Sequence, residues 1–342
     1  MVVVEVVTMT KRYDVVVVGG GAAGLSAALM LGRVRRSVVV IDAGAPRNAP
    51  ADGVHGLLGR EGISPAELLA RGRDEVAGYG GQVLPGEVDT VARDDTGFMV
   101  TLTDGRTVHA RRLLVATGLV DELPDVPGLL ARWGRDVVHC PYCHGWEIRD
   151  QAIGVLAAGP MSVHQALLFR QLSADVTFFS HTTAPTDEEA EQFAARGIRV
   201  VTGEVAALEI ADDRLVGVRM SDGTVVAREA LAVATRMLAR AGFLAALGLW
   251  PVAHPSGTGE HLPTDATGRT DVPGVWVAGN VTDMFAQVGT AAAAGATAAA
   301  HLNRDLVDEE TRQAVAAHRD PFSAESESRV CEVVMGGRRH GL

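Results

Sequence analysis

Residues 13–24 read Y-D-V-V-V-V-G-G-G-A-A-G, and this stretch decides the fold. The β-branched run from Tyr13 to Val18 is typical of a buried parallel strand. It leads into the spacing G-x-G-x-x-G and then into a helix-forming stretch, Leu25 to Leu31. In this pattern the first glycine permits a tight turn, the second lets backbone approach a pyrophosphate, and the third lets the helix pack on the strand. The candidate phosphate-binding residues are Gly19, Gly21, Ala23 and Gly24.

A second apolar strand, Ser37 to Ile41, ends at Asp42, which lies about 20 residues beyond the glycines. A carboxylate at that place suits a ribose hydroxyl. Glycines alone would also fit an ordinary turn. Because strand, helix and terminal acid follow in the expected order, we predict a dinucleotide site.

The segment Cys140-Pro141-Tyr142-Cys143 holds two of the three cysteines in the chain. A C-x-x-C pair can pass two electrons by forming a disulfide, and its thiolate is stabilised near a helix start. His139 and His144 flank the pair, which raises the alternative of a metal site. Structural zinc sites more often draw ligand pairs from two separated places, so no metal is expected here.

Two later segments end as nucleotide-binding strands do. Residues 112–118 read R-L-L-V-A-T-G and supply Thr117 and Gly118, and residues 271–280 read D-V-P-G-V-W-V-A-G-N and supply Gly279 and Asn280. With these segments, the chain from about Tyr13 to about Leu306 resembles the flavoprotein disulfide reductases of the small bacterial thioredoxin-reductase type.

That resemblance implies FAD as cofactor. The family's second FAD motif usually ends A-G-D, and here Asn280 replaces the acid. Gln287 and Val288 begin an Ala-rich helix, expected to reach about Leu302, whose start lies by the flavin in the family. Two further candidates stand in loops, although each is equally well an ordinary loop residue: Arg47 for the FAD phosphates or adenine, and His55 for the flavin.

The family also carries a second nucleotide fold, which binds NADPH. The corresponding stretch has Ala157 where the first glycine belongs, with Pro160 and Met161 beside the remaining glycine. Residues 180–182 read S-H-T where the family has H-R-R, and residues 187–189 are all acidic. Because a phosphate monoester is normally bound by Arg or Lys, we predict that NADPH use is lost. The alternative is a divergent site that takes NADH or NADPH through backbone contacts.

Without a nicotinamide donor, electrons must enter through the C-x-x-C pair. The motif in residues 139–147, H-C-P-Y-C-H-G-W-E, resembles that of the dithiol oxidases that close disulfides in dithiolopyrrolone and epidithiodiketopiperazine natural products such as holomycin and gliotoxin. The resemblance implies a small-molecule dithiol substrate, with O2 reoxidising the flavin to give H2O2. The alternatives are an NAD(P)H-dependent thioredoxin-type disulfide reductase and a flavin-bearing redox sensor.

The same resemblance assigns roles at the redox centre. Cys143 lies against the flavin and Cys140 exchanges with the substrate. Since each substrate thiol must lose a proton, a base is expected nearby. The matching residues are His139 as base and Asp283 as its orienting acid, with His144 as the alternative base.

The predicted fold class is α/β, with two Rossmann-like three-layer domains. The FAD domain is discontinuous, covering residues 11–121 and 239–306, and a degenerate NAD(P)-binding-like domain, residues 122–238, carries the C-x-x-C pair. Residues 307–342 are expected to form a C-terminal tail. The resemblance implies a homodimer.

Composition excludes several classes of partner. The net charge of −11 offers no basic face for nucleic acid or an anionic membrane. Met1 to Val7 is too short for a signal peptide and contains Glu5, and Val288 to Ala300 is too short to span a bilayer. One redox pair without an export signal fits a cytoplasmic protein.

Overall fold

The protein was analysed as a computed structural model, which describes residues 12–320 and, beyond them, residues 324, 327, 328, 330 and 331. Strands and helices are numbered in chain order. Within the described residues, seven strands form the first sheet: β1 Arg12–Val18, β2 Val38–Asp42, β3 Gln82–Pro85, β4 Val88–Asp94, β5 Gly97–Leu102, β6 Thr107–Val115 and β19 Val275–Val277. Their order is β3-β2-β1-β6-β5-β4, and β19 pairs with β6.

The centre of this sheet is the predicted nucleotide-binding unit. Strand β1 pairs in parallel with β2 and β6, and Val15, Val16 and Val17 are fully buried. Helix α1 (Ala22–Arg33) follows directly and packs on the sheet together with α7 (Val288–Arg319), while α2 (Pro65–Gly78) packs beside α1. The carboxyl ends of β1, β2 and β6 therefore meet at one edge of the sheet, where a nucleotide binds in such folds.

A second domain is inserted between β6 and β19. Its parallel sheet has the order β11-β10-β9-β15-β8, with β8 Val137–Val138, β9 Ile153–Leu156, β10 Val176–Phe179, β11 Arg199–Val201 and β15 Ala230–Val233. A three-stranded antiparallel sheet packs on it, formed by β12 Val205–Ala211, β13 Arg214–Met220 and β14 Val225–Ala227. Its helices are α3 Leu129–Arg132, α4 Pro141–His144, α5 Ser162–Phe169 and α6 Asp187–Arg196.

Two antiparallel strands carry the chain between the domains. Strand β7 (Leu119–Glu122) leads out and β16 (Arg236–Ala239) leads back, and they pair with each other. The remaining short elements are β17 Val252–Ala253, β18 Gly259–His261 and two 3₁₀ helices, Gly242–Leu247 and Gly279–Val281. The predicted α/β class, with two Rossmann-like domains of which the first is discontinuous, is confirmed.

The long helix α7 corrects one expectation. It was predicted to end near Leu302 but continues to Arg319, so the predicted domain end at 306 falls inside a helix. The cause is an ion-pair cluster in which Glu309 and Glu310 bind Arg111 and Arg112 of β6, as well as Arg36. The residues after 331, which belong to the predicted tail, lie outside the described part of the chain. Across the described residues, no helix combines the length and apolar character needed to cross a membrane.

Candidate active site

A single cavity connects the glycine-rich turn with the cysteine pair. Its volume is about 770 Å³, which is within the range of small-molecule and cofactor sites. Most of the predicted site residues line it: Gly19, Gly21, Ala23, Asp42, Arg47, His55, Thr117, Gly118, His139, Cys140, Cys143, Asn280, Gln287 and Val288. Gly24 and Gly279 lie buried outside its lining, and Asp283 is an exposed residue outside it.

The glycine-rich turn has the geometry of a phosphate cradle. Gly19 has φ +105°, and a Cβ there would lie 2.4 Å from the carbonyl oxygen of Ala116. A Cβ on Gly24 would lie 1.9 Å from the carbonyl oxygen of Gly19, so helix α1 can begin this close to β1 only with glycine. Gly21 is the N-cap of α1 and offers no side chain. The first N–H groups of the helix are therefore left for an anionic group in the cavity.

The carboxylate of Asp42 is held at the end of β2. Its Oδ1 accepts hydrogen bonds from the backbone N–H groups of Gly20 (3.2 Å) and Gly44 (3.3 Å). In the described part of the chain no hydrogen bond uses Oδ2, so this oxygen can accept from a ribose hydroxyl.

Asn280 uses its side-chain amide to shape the turn before α7. Its Nδ2 donates to the carbonyl oxygens of Asp283 (3.1 Å) and Ala286 (2.8 Å), and lies 3.4 Å from that of Met284. An aspartate, the usual residue of the family here, has no N–H to donate. The substitution therefore fixes the loop that presents Gln287, the N-cap of α7, to the cavity.

The cysteine pair spans the first turn of α4. The Sγ atoms of Cys140 and Cys143 are 2.6 Å apart, and both cysteines are free. The thiol of Cys143 donates to Cys140 and, together with the N–H groups of Cys143 and Tyr142, lowers the pKa of Cys140 to about 7. The same hydrogen bond, with burial, raises the pKa of Cys143. Cys140 is thus the sulfur that carries negative charge near neutral pH.

His139 lines the cavity and has one ring nitrogen left to accept a proton. Its Nδ1 lies 3.1 Å from the carbonyl oxygen of Val233, which can only accept, so Nδ1 carries the proton and Nε2 has the free lone pair. Burial lowers the pKa of the His139 imidazole, and the charge of Arg47 lowers it further. The amide of Gln165 donates to the His139 carbonyl (2.6 Å) and holds the backbone next to Cys140.

The predicted partnership of His139 with Asp283 is not seen. Asp283 lies in the turn after the second 3₁₀ helix, where its carboxylate accepts from the N–H of Phe285 (3.2 Å). The acid near His139 is instead Asp121, which lines the cavity and interacts electrostatically with the imidazole. Sequence reasoning missed Asp121, although its place three residues after A-T-G was a usable signal.

Arg47, a candidate for the FAD phosphates or adenine, is bound elsewhere in this structure. Its Nε and a terminal nitrogen donate to both oxygens of Asp121, at 2.6 and 2.7 Å. The arginine still lines the cavity beside the cysteines.

Two further histidines line the cavity. His55 Nδ1 lies 2.7 Å from Glu61, and its Nε2 lies 3.5 Å from Glu147 of the second domain. His144 is different, because both its ring nitrogens are buried and have no hydrogen-bond partner among the described residues. Burial lowers the pKa of His144, so it stays an alternative base.

The second nucleotide fold has its turn closed by its own side chains. The hydroxyl of Ser162 accepts from the N–H groups of Ala158 (3.1 Å) and Gly159 (3.2 Å), the groups that would otherwise face a pyrophosphate. At the next strand end, Thr182 donates to the Ala157 carbonyl (3.2 Å), and His181 accepts from the Val205 N–H (3.0 Å). The first turn of α6 adds three acidic residues.

Among the described residues, no group of three or more His, Cys, Asp or Glu side chains is arranged to hold a metal ion. The cavity thus combines a dinucleotide cradle with a dithiol pair. That combination defines a flavin-type disulfide oxidoreductase, and comparison with known proteins agrees.

The chain belongs to the pyridine nucleotide-disulphide oxidoreductase family, whose model matches residues 13–300. It is similar to the thioredoxin reductase tcpT of Claviceps purpurea, with 33% identity over 86% of this chain and 94% of the relative. The thioredoxin reductase sirT of Leptosphaeria maculans is 30% identical over 86% of this chain and 95% of its own. The crystal structure of HlmI superposes with a TM-score of 0.84 at 48% identity, covering 90% of this chain and 97% of that one.

The family predicted from the motifs is therefore confirmed, and the protein is a thioredoxin-reductase-like oxidoreductase. Its members are FAD-binding flavoproteins, so FAD is the cofactor. The cradle fits this group: the α1 N-terminus would take the pyrophosphate and Asp42 the ribose. The start of α7, at Gln287 and Val288, would stabilise negative charge on the reduced flavin.

Proposed function

We propose that this protein is an FAD-dependent dithiol oxidase. It closes an intramolecular disulfide in a small-molecule dithiol and passes the two electrons to O2. The observation that carries the proposal is an asymmetry between the two nucleotide folds. The glycine-rich turn of the first fold opens into the cavity that contains the cysteine pair. The turn N–H groups of the second fold are instead hydrogen-bonded to the hydroxyl of Ser162. The overall balance is a dithiol plus O2 giving a disulfide plus H2O2.

The sulfur chemistry follows from the ionisation of the pair. With Cys140 and Cys143 joined as a disulfide, His139 Nε2 takes the proton of the first substrate thiol, and the resulting thiolate attacks Cys140 Sγ. The Cys140–Cys143 bond breaks, and Cys143 leaves and takes up the proton held by His139. The second substrate thiol then gives its proton to the freed Nε2, and its thiolate attacks the first substrate sulfur, closing the product and releasing Cys140 as a thiolate. A low pKa makes Cys140 a good leaving group in this second step.

Bound FAD supplies the acceptor that takes the electron pair from the reduced cysteines and returns it to O2. The chain's own part is to hold the pair at the cavity wall and to re-form its disulfide. For that closure the nucleophile is Cys140, because its pKa of about 7 lets its thiolate form near neutral pH, whereas the pKa of Cys143 is raised.

The substrate class we propose is a dithiolopyrrolone or epidithio-type dithiol. Support comes from the resemblance of residues 139–147 to the dithiol oxidases and from the 48% identity to HlmI. Exposed aromatic rings at Tyr142 (68%) and Trp146 (67%) stand within and just after the C-x-x-C segment. The Tyr142 ring offers a stacking surface for a compact planar substrate, whereas the guanidinium of Arg149 lies over the Trp146 ring, 4.1 Å from its centroid.

The second candidate is an NAD(P)H-dependent disulfide reductase of the thioredoxin-reductase type. It is favoured by the names of the two relatives, each of which matches 86% of this chain. We further propose that the protein is a cytoplasmic homodimer that binds neither nucleic acid nor membrane, which its family resemblance, cysteine usage and net charge of −11 support.

The direct test is aerobic turnover with a reduced dithiolopyrrolone. We expect one H2O2 for each disulfide formed, without added NADPH. Cys140→Ser and Cys143→Ser should each abolish turnover while keeping the flavin spectrum, and Cys331→Ser, at an exposed position, should retain the full rate. NADPH consumption coupled to disulfide reduction, without peroxide from the dithiol, would assign the protein to the reductases.

A further inference from the structure

A buried ion pair stands in the wall of the cavity. The side chain of Asp121 is 6% exposed and that of Arg47 is 28% exposed. Arg47 binds both carboxylate oxygens, and the buried hydroxyl of Thr235 donates to Asp121 Oδ1 at 2.6 Å. A bidentate pair with an added hydroxyl donor has a fixed geometry and low mobility.

The pair joins three separate parts of the chain. Arg47 lies in the loop after β2, Asp121 lies on the outgoing strand β7, and Thr235 lies just before the returning strand β16. Arg47 and Asp121 line the same cavity as His139, Cys140 and Cys143. Two opposite charges are thus fixed beside the redox centre, and the resemblance that suggested Asp283 assigns neither of them this place.

Asp121 is ionised despite its burial. Burial alone would raise the pKa of this carboxyl, but hydrogen bonds from Arg47 and Thr235 hold it below its usual value. A buried charge of this kind persists only with a partner of opposite sign. The buried carboxylate of Asp121 therefore keeps its charge because Arg47 and Thr235 bind it.

We propose that Arg47 and Asp121 are positioning residues of the redox centre: Asp121 holds the guanidinium beside the thiol pair and balances its charge there. Arg47 favours the Cys140 thiolate and opposes protonation of His139, whereas Asp121 opposes the effect of Arg47 on the imidazole. The pair thereby adds to the effect of the Cys143 thiol on the ionisation of Cys140 and influences how readily the His139 imidazole loses its proton.

The other groups facing these atoms are few. His139 also faces His144 and the carbonyl of Val233, and Cys140 also faces the Cys143 thiol and the N–H of Tyr142. None of these groups carries a permanent full charge near neutral pH. The two charges that a substitution can remove are therefore those of Arg47 and Asp121.

The test measures ionisation of Cys140 directly. Asp121→Asn, Arg47→Gln and the double variant are made in the Cys143→Ser background, which leaves one sulfur in the motif. Alkylation of the FAD-bound protein by iodoacetamide is followed against pH by mass spectrometry. The exposed Cys331 is an internal reference in every sample. Glu122→Gln is the matched control, since Glu122 is the next residue on β7 and forms an exposed pair with Arg236.

The two single variants should shift the pH midpoint of Cys140 alkylation in opposite directions. Asp121→Asn keeps a side-chain oxygen that can accept from Arg47 but removes the negative charge, so it should lower the alkylation midpoint by about one pH unit, whereas Arg47→Gln should raise it by about as much. In the double variant the alkylation midpoint of Cys140 should return close to that of the parent. The Cys140 midpoint in Glu122→Gln and the midpoint of Cys331 in every sample should stay unchanged. No shift in Asp121→Asn, or shifts of the same sign in both single variants, would overturn the proposal. If only Asp283→Asn shifted the Cys140 midpoint, the acid of the redox centre would be Asp283, as expected from the sequence.

This inference refines the proposed dithiol oxidase, because the pair tunes the sulfur that exchanges with substrate. The alkylation measurement reads thiol ionisation without turnover. An enzyme that proved to be a reductase would still show opposite shifts, so failure of one proposal is distinguishable from failure of the other.

Discussion

As the proposed base, His139 should determine the pH at which the site can activate a thiol. The ordinary pKa of a histidine is 6.5. Burial and, to a smaller extent, the charge of Arg47 lower the pKa of the His139 imidazole below that value. A base works when unprotonated, so lowering its pKa extends activity toward acid. We expect kcat/KM for the dithiol to stay level through neutral pH and to fall only below the usual histidine range.

Replacing His139 with Gln should slow disulfide formation by about 100-fold, the lower end of general-base contributions, and should remove that acidic fall. The measurement is kcat/KM against pH for His139→Gln and His144→Gln in parallel. If the His144 variant lost the acidic limb while the His139 variant kept it, the base would be His144.

At the scale of single residues, the sequence predicted which side chains form the site better than it predicted which groups they hydrogen-bond. Gly19, Cys140 and Cys143 were recognised because their spacing reflects a local requirement of turn or disulfide geometry. Asp121 and Ser162 were missed because their roles depend on hydrogen bonds to groups brought near by tertiary folding. Asp283 lies exposed outside the cavity lining, because closeness in sequence to a cofactor motif does not by itself place a side chain in the cavity.

At the scale of elements, α7 has two different halves. Its start at Gln287 and Val288 faces the cavity, and its last turns are tied to the first sheet through Glu309 and Glu310. The sequence predicted that the Ala-rich helix ends near Leu302, because the composition changes from alanine-rich to charged after Arg304. The helix continues because its acids bind arginines of β6, a contact that no local pattern records.

These acids make the far end of α7 sensitive to pH. Hydrogen bonding to Arg36, opposed by burial, lowers the pKa of Glu310 from 4.5 to about 2. Since the folded value is the lower one, the stabilisation is complete above the unfolded value of 4.5 and is lost as pH falls toward 2. We expect Glu309→Gln/Glu310→Gln to lower stability at pH 7 by about 1 kcal/mol.

Thermal unfolding of this variant at a series of pH values is the measurement. Its difference from the parent should shrink as pH falls below 4.5. Asp308→Asn is the control on the same helix, because its pair with Arg304 is exposed and 3.9 Å long. An equal loss at pH 7 in the control, or a difference that persists at low pH, would rule out the ion-pair cluster as the cause.

At the scale of the whole molecule, the two nucleotide-binding folds differ in whether their turn is open to a ligand. The first keeps its open glycine cradle, and the second has Ala157 buried in its turn and Ser162 bound to the turn N–H groups. The duplication and the missing glycine were predictable from spacing. The hydrogen bonds by which Ser162 closes the second turn were not predictable, because a serine at a helix start normally indicates only a helix terminus.

Anaerobic reduction of the bound flavin tests the central claim most directly. The FAD-loaded protein is mixed in a stopped-flow instrument either with a small dithiol or with NADPH, and loss of flavin absorbance is followed. We predict rapid bleaching by the dithiol, none by NADPH on the same timescale, and recovery of colour with H2O2 when air is admitted. Bleaching by NADPH as fast as by the dithiol would contradict the account.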